Sequence, residues 1–308
     1  MRIKKIIGTE QLSTIDWGYV KIEKNLKTIS AAINNYGWKY VDTASIYDLG
    51  KVESLIGKYP DYFKNANLWS KVGLEWKKNK KNKRASIFNN CSLRSIIDQI
   101  EKSLERLNKK KIHTYFLHFF DKNLDIKKQL KNISQAKKMG YSDYCGVCNP
   151  HFSMIREINN SDIDYVQVEM SLITNNIELI KKIKKKIILF SSLGRGILTN
   201  NLKKITYPKY SIYNDRRSRL KEFKKKNIEL LKKNFHPLLN SNINFSQVNL
   251  SFIKKYVNPN GIIIGFKNDR QFSEIKNFDL KIINKKNYQN LETIIENTGN
   301  ISGRIIND

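Results

Sequence analysis

The sequence predicts an α/β fold, a (β/α)8 TIM barrel, formed by residues 1–308 as a single domain. Short apolar runs alternate with amphipathic helical stretches, and this alternation is typical of a parallel sheet. About eight such units are present, and eight units close the sheet into a barrel. We find no internal repeat and no linker in the sequence that would divide the chain into further domains.

The predicted strands are short apolar runs bounded by polar residues or turns. The first lies near Ile3–Gly8. The others are Tyr40–Asp42, Leu68–Val72, Thr114–His118, Tyr144–Cys148, Tyr165–Val168, Ile187–Ser191 and Gly261–Phe266. Because helical segments separate them, we expect these strands to pair in parallel.

The predicted helices show apolar residues at helical spacing with charged residues opposite. The clearest is Leu93–Leu107, where Ile96, Ile100 and Leu104 recur on one face. The full set is Leu26–Tyr36, Val52–Lys58, Leu93–Leu107, Ile126–Met139, Phe152–Ile158, Ile177–Ile183 and Ser246–Tyr256.

Two segments break this pattern. Lys77–Asn90 is basic and has no apolar face, so we expect a solvated surface loop. Leu202–Asn214 is irregular, and a highly charged helix is expected from about Arg216 to Asn234. The second segment follows the seventh strand and therefore lies on the face where barrel active sites form.

The chain carries a net charge of +29, from 57 Lys and Arg against 28 Asp and Glu. Such an excess would suit a polyanion, but the lysines are spread along the chain and no nucleic-acid-binding motif accompanies them. We therefore expect attraction of a phosphorylated cofactor or substrate, not nucleic-acid binding. No apolar run approaches the length of a membrane span and no signal peptide is evident, so a cytoplasmic protein is expected.

The three cysteines, Cys91, Cys145 and Cys148, fit a reducing compartment. Cys145 and Cys148 have CxxC spacing, but a zinc site needs further ligands and there is no second pair. The spacing also lies inside an apolar strand. We therefore expect buried or rim cysteines and no metal site.

Polar groups suited to proton transfer follow three of the predicted strands. Asp42 ends the second strand and Tyr47 follows on its loop, Lys71 lies at the end of the third, and His118 ends the fourth. The carboxyl ends of barrel strands meet on one face, so these side chains should converge. A tyrosine becomes a usable acid near neutral pH when a neighbour such as a cation stabilises its phenolate.

The motifs that contain these residues resemble those of the aldo-keto reductase superfamily. Asp42–Tyr47 reads Asp-Thr-Ala-Ser-Ile-Tyr and matches the Asp-Thr-Ala-x-x-Tyr signature. Matching motifs follow in family order at Ser103–Leu107, Leu117–Asp121, Gly146–Asn149, Gln167–Glu169, Ser191–Gly196 and Gly265–Lys267. The resemblance runs from about Gly8 to Glu274, and features such as Lys71-Val72-Gly73 resemble a bacterial branch of the superfamily.

The resemblance implies NADPH-dependent reduction of an aldehyde or ketone to an alcohol, with NADH as the alternative cofactor. Tyr47 would be the general acid, and the Lys71 ammonium would lower its pKa. Asp42 would keep Lys71 charged and in place, and His118 would orient the substrate carbonyl.

The resemblance also implies a set of cofactor-binding residues. Asn149 and Gln167 match residues that hold the nicotinamide carboxamide, and Phe190 stands where an aromatic residue stacks under the ring. The remaining matches are Leu193, Gly194 and Gly196 at the pyrophosphate, and Lys267 and Gln271 at the adenosine end. A lysine at that end suits the 2′-phosphate of NADPH.

Several positions depart from the family pattern. Cys148 replaces the usual Ser, Phe119 the usual Trp or Arg, Ser192 the usual Pro, and Ile275 the usual Asn. Two other functions remain open: a non-catalytic NADPH-binding subunit of the same fold, and a polyanion-binding protein. Nothing in the sequence selects one carbonyl substrate or one oligomeric state.

Overall fold

A computed structural model describes residues 3–17, 20–78, 85–205, 220–240, 243–278, 283–298 and 300–302. Its strands are β1 (Lys4–Gly8), β2 (Tyr40–Asp42), β3 (Asn67–Val72), β4 (Leu74–Lys78), β5 (Ala85–Asn89), β6 (Ile112–Leu117), β7 (Ser142–Cys148), β8 (Tyr165–Glu169), β9 (Lys186–Phe190) and β10 (Gly261–Ile264). All except β4 and β5 form a closed barrel of parallel strands in the order β1-β2-β3-β6-β7-β8-β9-β10. This confirms the predicted (β/α)8 fold class.

Helices surround the barrel and cover its outer face. They are α1 (Thr14–Trp17), α2 (Ile22–Tyr36), α3 (Lys51–Lys58), α4 (Leu93–Leu107), α5 (Ile126–Lys138), α6 (Ile155–Asn159), α7 (Ile177–Lys182), α8 (Lys225–Asn234), α9 (His236–Leu239), α10 (Phe245–Val257), α11 (Asp269–Ile275) and α12 (Lys285–Thr298). In α4 the apolar stripe is buried against the barrel, and the Ser92 hydroxyl caps the helix by accepting from the Ser95 N–H. Within the described ranges, no helix is both long and apolar enough to cross a membrane.

The segment expected to be a solvated loop, Lys77–Asn90, contains parts of two strands; β5 is largely exposed to solvent, as expected, and residues 79–84 lie outside the described residues. β4 and β5 form an antiparallel hairpin in which Leu74 lies opposite Asn89 and Trp76 opposite Ile87. The hairpin begins at Gly73, whose φ of 95° favours glycine, directly after β3. The loop prediction was wrong for residues 77–78 and 85–89, because the run of lysines obscured the alternation of apolar and polar side chains on β4.

The charged helix expected from Arg216 begins later, at Lys225. A 3₁₀ turn, Lys221–Phe223, precedes it, and residues 206–219, including Arg216, lie outside the described residues. Ile228 and Leu231 form the buried face of this helix.

Apolar side chains form two cores, one inside the barrel and one between the barrel and its helices. Cys148 lies in the inner core with Trp69 and Phe116, whereas Cys145 lies in the outer core. The two thiols of the CxxC spacing therefore occupy opposite faces of β7. All three cysteines are buried and free, as the sequence predicts for Cys145 and Cys148.

A buried carboxylate fixes β3 against α3 and α4. Glu53 accepts hydrogen bonds from Ser70 (2.5 Å), Ser103 (2.6 Å) and Arg106 (2.7 and 2.8 Å). Burial raises the pKa of Glu53, and Arg106 counteracts part of that rise. The two helices approach closely here, since a Cβ added at Gly57 would lie 2.1 Å from the carbonyl oxygen of Arg106. The network fixes the position of β3, which carries Lys71, relative to α3 and α4.

Candidate active site

The carboxyl ends of the barrel strands enclose a cavity of about 1120 Å³. Asp42, Tyr47, Lys71 and His118 all line it, although up to 76 positions separate them in sequence (118 − 42). The structure therefore brings the four predicted acid–base residues together. Their convergence follows from the parallel barrel, which gathers the ends of β2, β3 and β6 on one face.

Lys71 is the centre of this group. Its ammonium forms an ion pair with Asp42, donates to the Thr43 carbonyl oxygen at 2.8 Å, and lies 3.4 Å from the Tyr47 hydroxyl. The side chains of Lys71 and Asp42 are only 4% and 3% exposed. A buried ammonium requires such compensation, because an unpaired charge in this position would be strongly destabilising.

Tyr47 stands on a tight turn after β2. Asp48 and Leu49 follow it with φ of 47° and 55°, and the Asp48 carboxylate accepts from the N–H and hydroxyl of Thr14. These bonds tie the turn to α1. The Tyr47 ring meets the His118 ring edge-on, with centroids 6.1 Å apart.

The pKa of Tyr47 differs from the sequence-based expectation. Burial, and after it the Asp42 carboxylate, raise the pKa of Tyr47 well above its usual value of 10.0. The net shift is opposite to the lowering expected from Lys71, because burial, its largest cause, disfavours the charged phenolate. Tyr47 therefore keeps its proton at neutral pH.

Gln167 extends the group across the barrel. Its Nε2–H donates to the Asp42 carboxylate at 2.8 Å, and its Oε1 accepts from the Cys148 thiol at 3.3 Å. Burial raises the pKa of Cys148, so the thiol keeps the proton that it donates. Gln167 was predicted to face the nicotinamide carboxamide, and in this structure it orients Asp42.

The other two predicted nicotinamide neighbours line the same cavity. Asn149 follows β7 with φ of 54°, and its Nδ2–H donates to the His118 carbonyl oxygen at 3.2 Å. Phe190 ends β9 and presents its ring to the cavity wall. The structure thus places Asn149, Gln167 and Phe190 around the acid–base residues.

Leu193, Gly194 and Gly196 lie in a compact turn after β9. The N–H groups of Gly194 and Gly196 donate to the carbonyl oxygens of Ser191 (2.7 Å) and Leu193 (2.9 Å), so the turn itself uses these donors. Gly196 has φ of 95°, and a Cβ added there would meet no protein atom within 4 Å. The backbone at Gly196 is therefore open to close approach by a ligand.

Arg195, in the same turn, is held by two carboxylates. Its guanidinium contacts Glu169 at 2.9 Å and Glu222 at 2.8 Å. Burial raises the pKa of Glu169, and Arg195 opposes that rise. Glu169 is thus a partner of Arg195, and the pair joins the end of β8 to the turn.

Lys267 and Gln271 lie at the far end of the cavity. The Lys267 N–H donates to Gln271 Oε1 at 2.8 Å, and the Lys267 ammonium donates to the Trp17 carbonyl oxygen at 2.7 Å. Lys267 also lines a second cavity of about 380 Å³, where the cationic side chains Lys21, Lys24, Lys267 and Arg270 outnumber the single carboxylate, Asp269. This end of the site is suited to an anion.

The cavity wall fits a nicotinamide dinucleotide. Ser192 Oγ and Trp17 Nε1 are buried in that wall and have no hydrogen-bond partner in the part of the chain that the structure describes. These two unused donors, the accessible backbone at Gly196 and the positive charge near Lys267 would suit an elongated anionic ligand.

Sequence reasoning missed part of the cavity wall. Leu74 and Ile87 line the cavity, but neither belongs to a motif of the family signature. For Leu74 a signal was available, because apolar residues alternate with polar ones along Leu74–Lys77 of β4.

The family model described as "Aldo/keto reductase family" matches residues 6–296. Among curated proteins, aldo-keto reductase YhdN of Bacillus subtilis (strain 168) is 25% identical over 205 residues, covering 64% of this chain and 60% of that protein. The uncharacterized oxidoreductase YqkF of the same organism is 26% identical over 211 residues, covering 64% of this chain and 66% of that protein. The matched part of the chain thus spans about two thirds or less of these relatives.

Two solved structures share the fold along almost the whole chain. The glycerol dehydrogenase AKR11B4 from Gluconobacter oxydans superposes with a TM-score of 0.77 at 20% identity, covering 99% of this chain and 94% of that one. The aldo-keto reductase AKR11C1 from Bacillus halodurans (holo form) gives 0.74 at 18% identity, covering 94% and 91%. With the family model matched over residues 6–296, the chain belongs to the aldo/keto reductase family.

Proposed function

We propose that this protein reduces an aldehyde or ketone to the alcohol with NADPH, and that Tyr47 is the general acid. The observation that supports this most strongly is the contact of the Tyr47 hydroxyl with the Lys71 ammonium, 3.4 Å apart, in a cavity that also holds Asp42 and His118. A proton donor, a cation that compensates the resulting anion, and a second donor are the groups that carbonyl reduction requires.

Tyr47 supplies the proton in this mechanism. When bound, the nicotinamide would supply the hydride to the carbonyl carbon, because no side chain is able to do so. The raised pKa of Tyr47 keeps the hydroxyl protonated until it donates to the carbonyl oxygen. The product alkoxide is a stronger base than the phenolate, so the transfer is favourable. The phenolate then lies beside the Lys71 ammonium, which stabilises it.

His118 and Asp42 assist from either side. The His118 ring, edge-on to Tyr47, would donate to the carbonyl oxygen and orient it, which stabilises the charge that develops there. Asp42 and the Thr43 carbonyl hold the ammonium in place, and Gln167 holds Asp42. Each of these contacts reduces the rearrangement needed at the moment of reaction.

The cofactor would extend from the acid–base group to the cationic end of the site. Asn149, Gln167 and Phe190 would surround the nicotinamide, with Leu193, Gly194 and Gly196 at the pyrophosphate and Lys267 and Gln271 at the adenosine end. We favour NADPH over NADH because Lys21, Lys24, Lys267 and Arg270 line the adjoining cavity, where a 2′-phosphate would find charge compensation.

Replacement of the acid tests this function. Tyr47→Phe should lower the oxidation of NADPH by nitrobenzaldehyde about 10²–10⁴-fold, because it removes the proton donor and leaves the ring. The affinity of this variant for NADPH, measured by quenching of tryptophan fluorescence, should be unchanged. Tyr59→Phe, on the exposed surface, is the matched control and should match the unmodified protein.

Retention of full turnover by Tyr47→Phe would contradict the assignment of the acid. If the unmodified protein bound NADPH but turned over no compound in a broad carbonyl panel, the non-catalytic binding subunit would be the better description.

A further inference from the structure

The hairpin β4–β5 presents one of its two faces to the catalytic cavity. Leu74, Ala85, Ile87 and Asn89 line the cavity, whereas Phe88 does not. Side chains alternate along a strand, and the register pairs Leu74 with Asn89 and Trp76 with Ile87, so this face is continuous across both strands. The hairpin therefore contributes a wall to the site.

This wall is apolar and open to a ligand. Ile87 is 51% exposed and Phe119 is 42% exposed, and both line the cavity. Single exposed apolar side chains are common on protein surfaces, but two in the wall of a concave site indicate contact with a ligand. The Phe119 ring stacks on the His118 ring with centroids 5.1 Å apart, so the apolar wall begins at the catalytic group.

Hydrogen bonds fix the hairpin to the barrel. The Asn89 amide donates to the Phe120 carbonyl oxygen at 2.6 Å, and the Asn90 N–H donates to the Gly73 carbonyl oxygen at 3.1 Å. The Asn90 amide also donates to Glu75 at 2.9 Å, on the face away from the cavity. Asn89 is the one polar side chain among the four named on the cavity face, and it already donates to Phe120, so this face offers few hydrogen-bond partners to a substrate that carries many hydroxyl groups.

We propose that the hairpin β4–β5 and Phe119 select carbonyl compounds that carry a hydrocarbon or aromatic body, in preference to polyhydroxylated ones. The carbonyl oxygen lies at Tyr47 and His118, and the hydrocarbon body packs on Phe119, Leu74 and Ile87. This inference rests on the proposed function, since the position of Tyr47 defines the carbonyl end. The expected substrates are apolar, whereas the structurally similar glycerol dehydrogenase is named after a polyol.

Steady-state kinetics of a homologous series test this proposal. With NADPH, kcat/KM should rise from propanal to octanal by roughly three- to fourfold for each methylene that reaches the wall. Octanal should exceed glyceraldehyde by more than tenfold. Ile87→Ala should lower the ratio of octanal to glyceraldehyde about tenfold, because it removes most of the apolar contact from β5.

Phe88→Ala is the matched control, since Phe88 is adjacent to Ile87, similarly exposed and on the opposite face of the hairpin. It should leave the ratio unchanged. Equal effects of Ile87→Ala and Phe88→Ala, or a preference of the unmodified protein for glyceraldehyde, would overturn the proposal.

Calorimetry separates this proposal from the function on which it rests. In the presence of NADPH, octanol should bind more tightly than glycerol, and Ile87→Ala should weaken octanol binding. If octanol does not bind more tightly than glycerol, or if Ile87→Ala does not weaken octanol binding, the hairpin proposal is refuted, regardless of whether the protein turns over aldehydes. Octanol binding that shows it, with no aldehyde turned over, supports the apolar wall and refutes the reductase function alone.

Discussion

Substitution of Gln167 by Glu places a second carboxyl against Asp42 without a change in side-chain size. In the structure the Gln167 Nε2–H donates to Asp42 at 2.8 Å, and both side chains are buried. A carboxylate at position 167 would place a second negative charge at about the same distance from the Asp42 carboxylate. Lys71 compensates only one of the two charges, because its ammonium already pairs with Asp42.

The size of the effect follows from two competing free energies. Two unit charges 2.8 Å apart repel by about 6 kcal/mol at an effective dielectric constant of about 20. Protonating a Glu side chain costs about 1.4 kcal/mol for each pH unit above its ordinary pKa of about 4.3, or about 3.7 kcal/mol at neutral pH. Protonation costs less free energy than the repulsion between two carboxylates, so the new carboxyl takes up a proton and donates to Asp42.

The pKa of the new carboxyl is therefore raised in the folded state. Its contribution to stability is fully present below its unfolded pKa and is lost as the pH rises through the raised folded value. Gln167→Glu should unfold in urea with a free energy about 1 kcal/mol below that of the unmodified protein at pH 5, and about 3 to 4 kcal/mol below it at pH 7.

Urea unfolding followed by fluorescence at several pH values measures this difference. Gln289→Glu, on the exposed side of α12, is the control and should show no dependence on pH in this range. A pH-independent difference for Gln167→Glu, smaller than about 0.5 kcal/mol, would show that Gln167 and Asp42 do not share a buried hydrogen bond.

Two further predictions concern the cofactor and the packing of the barrel. The double variant Lys21→Glu, Lys24→Glu should raise the Kd for NADPH more than tenfold and leave the Kd for NADH nearly unchanged, because only NADPH carries a 2′-phosphate. Fluorescence quenching measures both constants, and Lys109→Glu is the control. Equal losses of affinity for the two cofactors would argue against a phosphate site. Gly57→Ala should destabilise the protein by about 1 to 3 kcal/mol in urea unfolding, because the new methyl would clash with the Arg106 carbonyl oxygen. Helix propensity alone predicts a gain of about 1 kcal/mol for this change, so the sign of the result decides between the two effects.

The barrel and the convergence of its catalytic residues could be predicted because both depend on local order along the chain. Apolar runs alternate with amphipathic helices, and Asp42, Lys71 and His118 each stand where such a run ends. In a parallel barrel that position fixes the face on which a side chain emerges. The pairing partners of the individual strands were not needed to bring these residues together.

The parts that could not be predicted depend on contacts between distant residues. The pKa of Tyr47 is set by burial and by Asp42, and the charge of Lys71 does not dominate because Asp42 compensates it. The contact of Gln167 with Asp42 spans 125 positions in the sequence and links two strands that are not neighbours in the barrel. On β4, a run of lysines concealed the alternation of apolar and polar side chains, because the sequence alone does not show the direction in which each side chain points.

The parallel pairing of β1 with β10 joins Lys4 to Gly261, which is 257 positions away in the sequence (261 − 4). Closing so long a loop carries a large entropic cost that local helix formation does not share, so it belongs among the late events of folding. The acid–base group draws on β2, β3, β6 and β8, which are held at their final tilt only in the closed barrel. During refolding, recovery of carbonyl reduction should therefore lag behind recovery of helical content, and the interval measures the time that the chain spends as an open sheet.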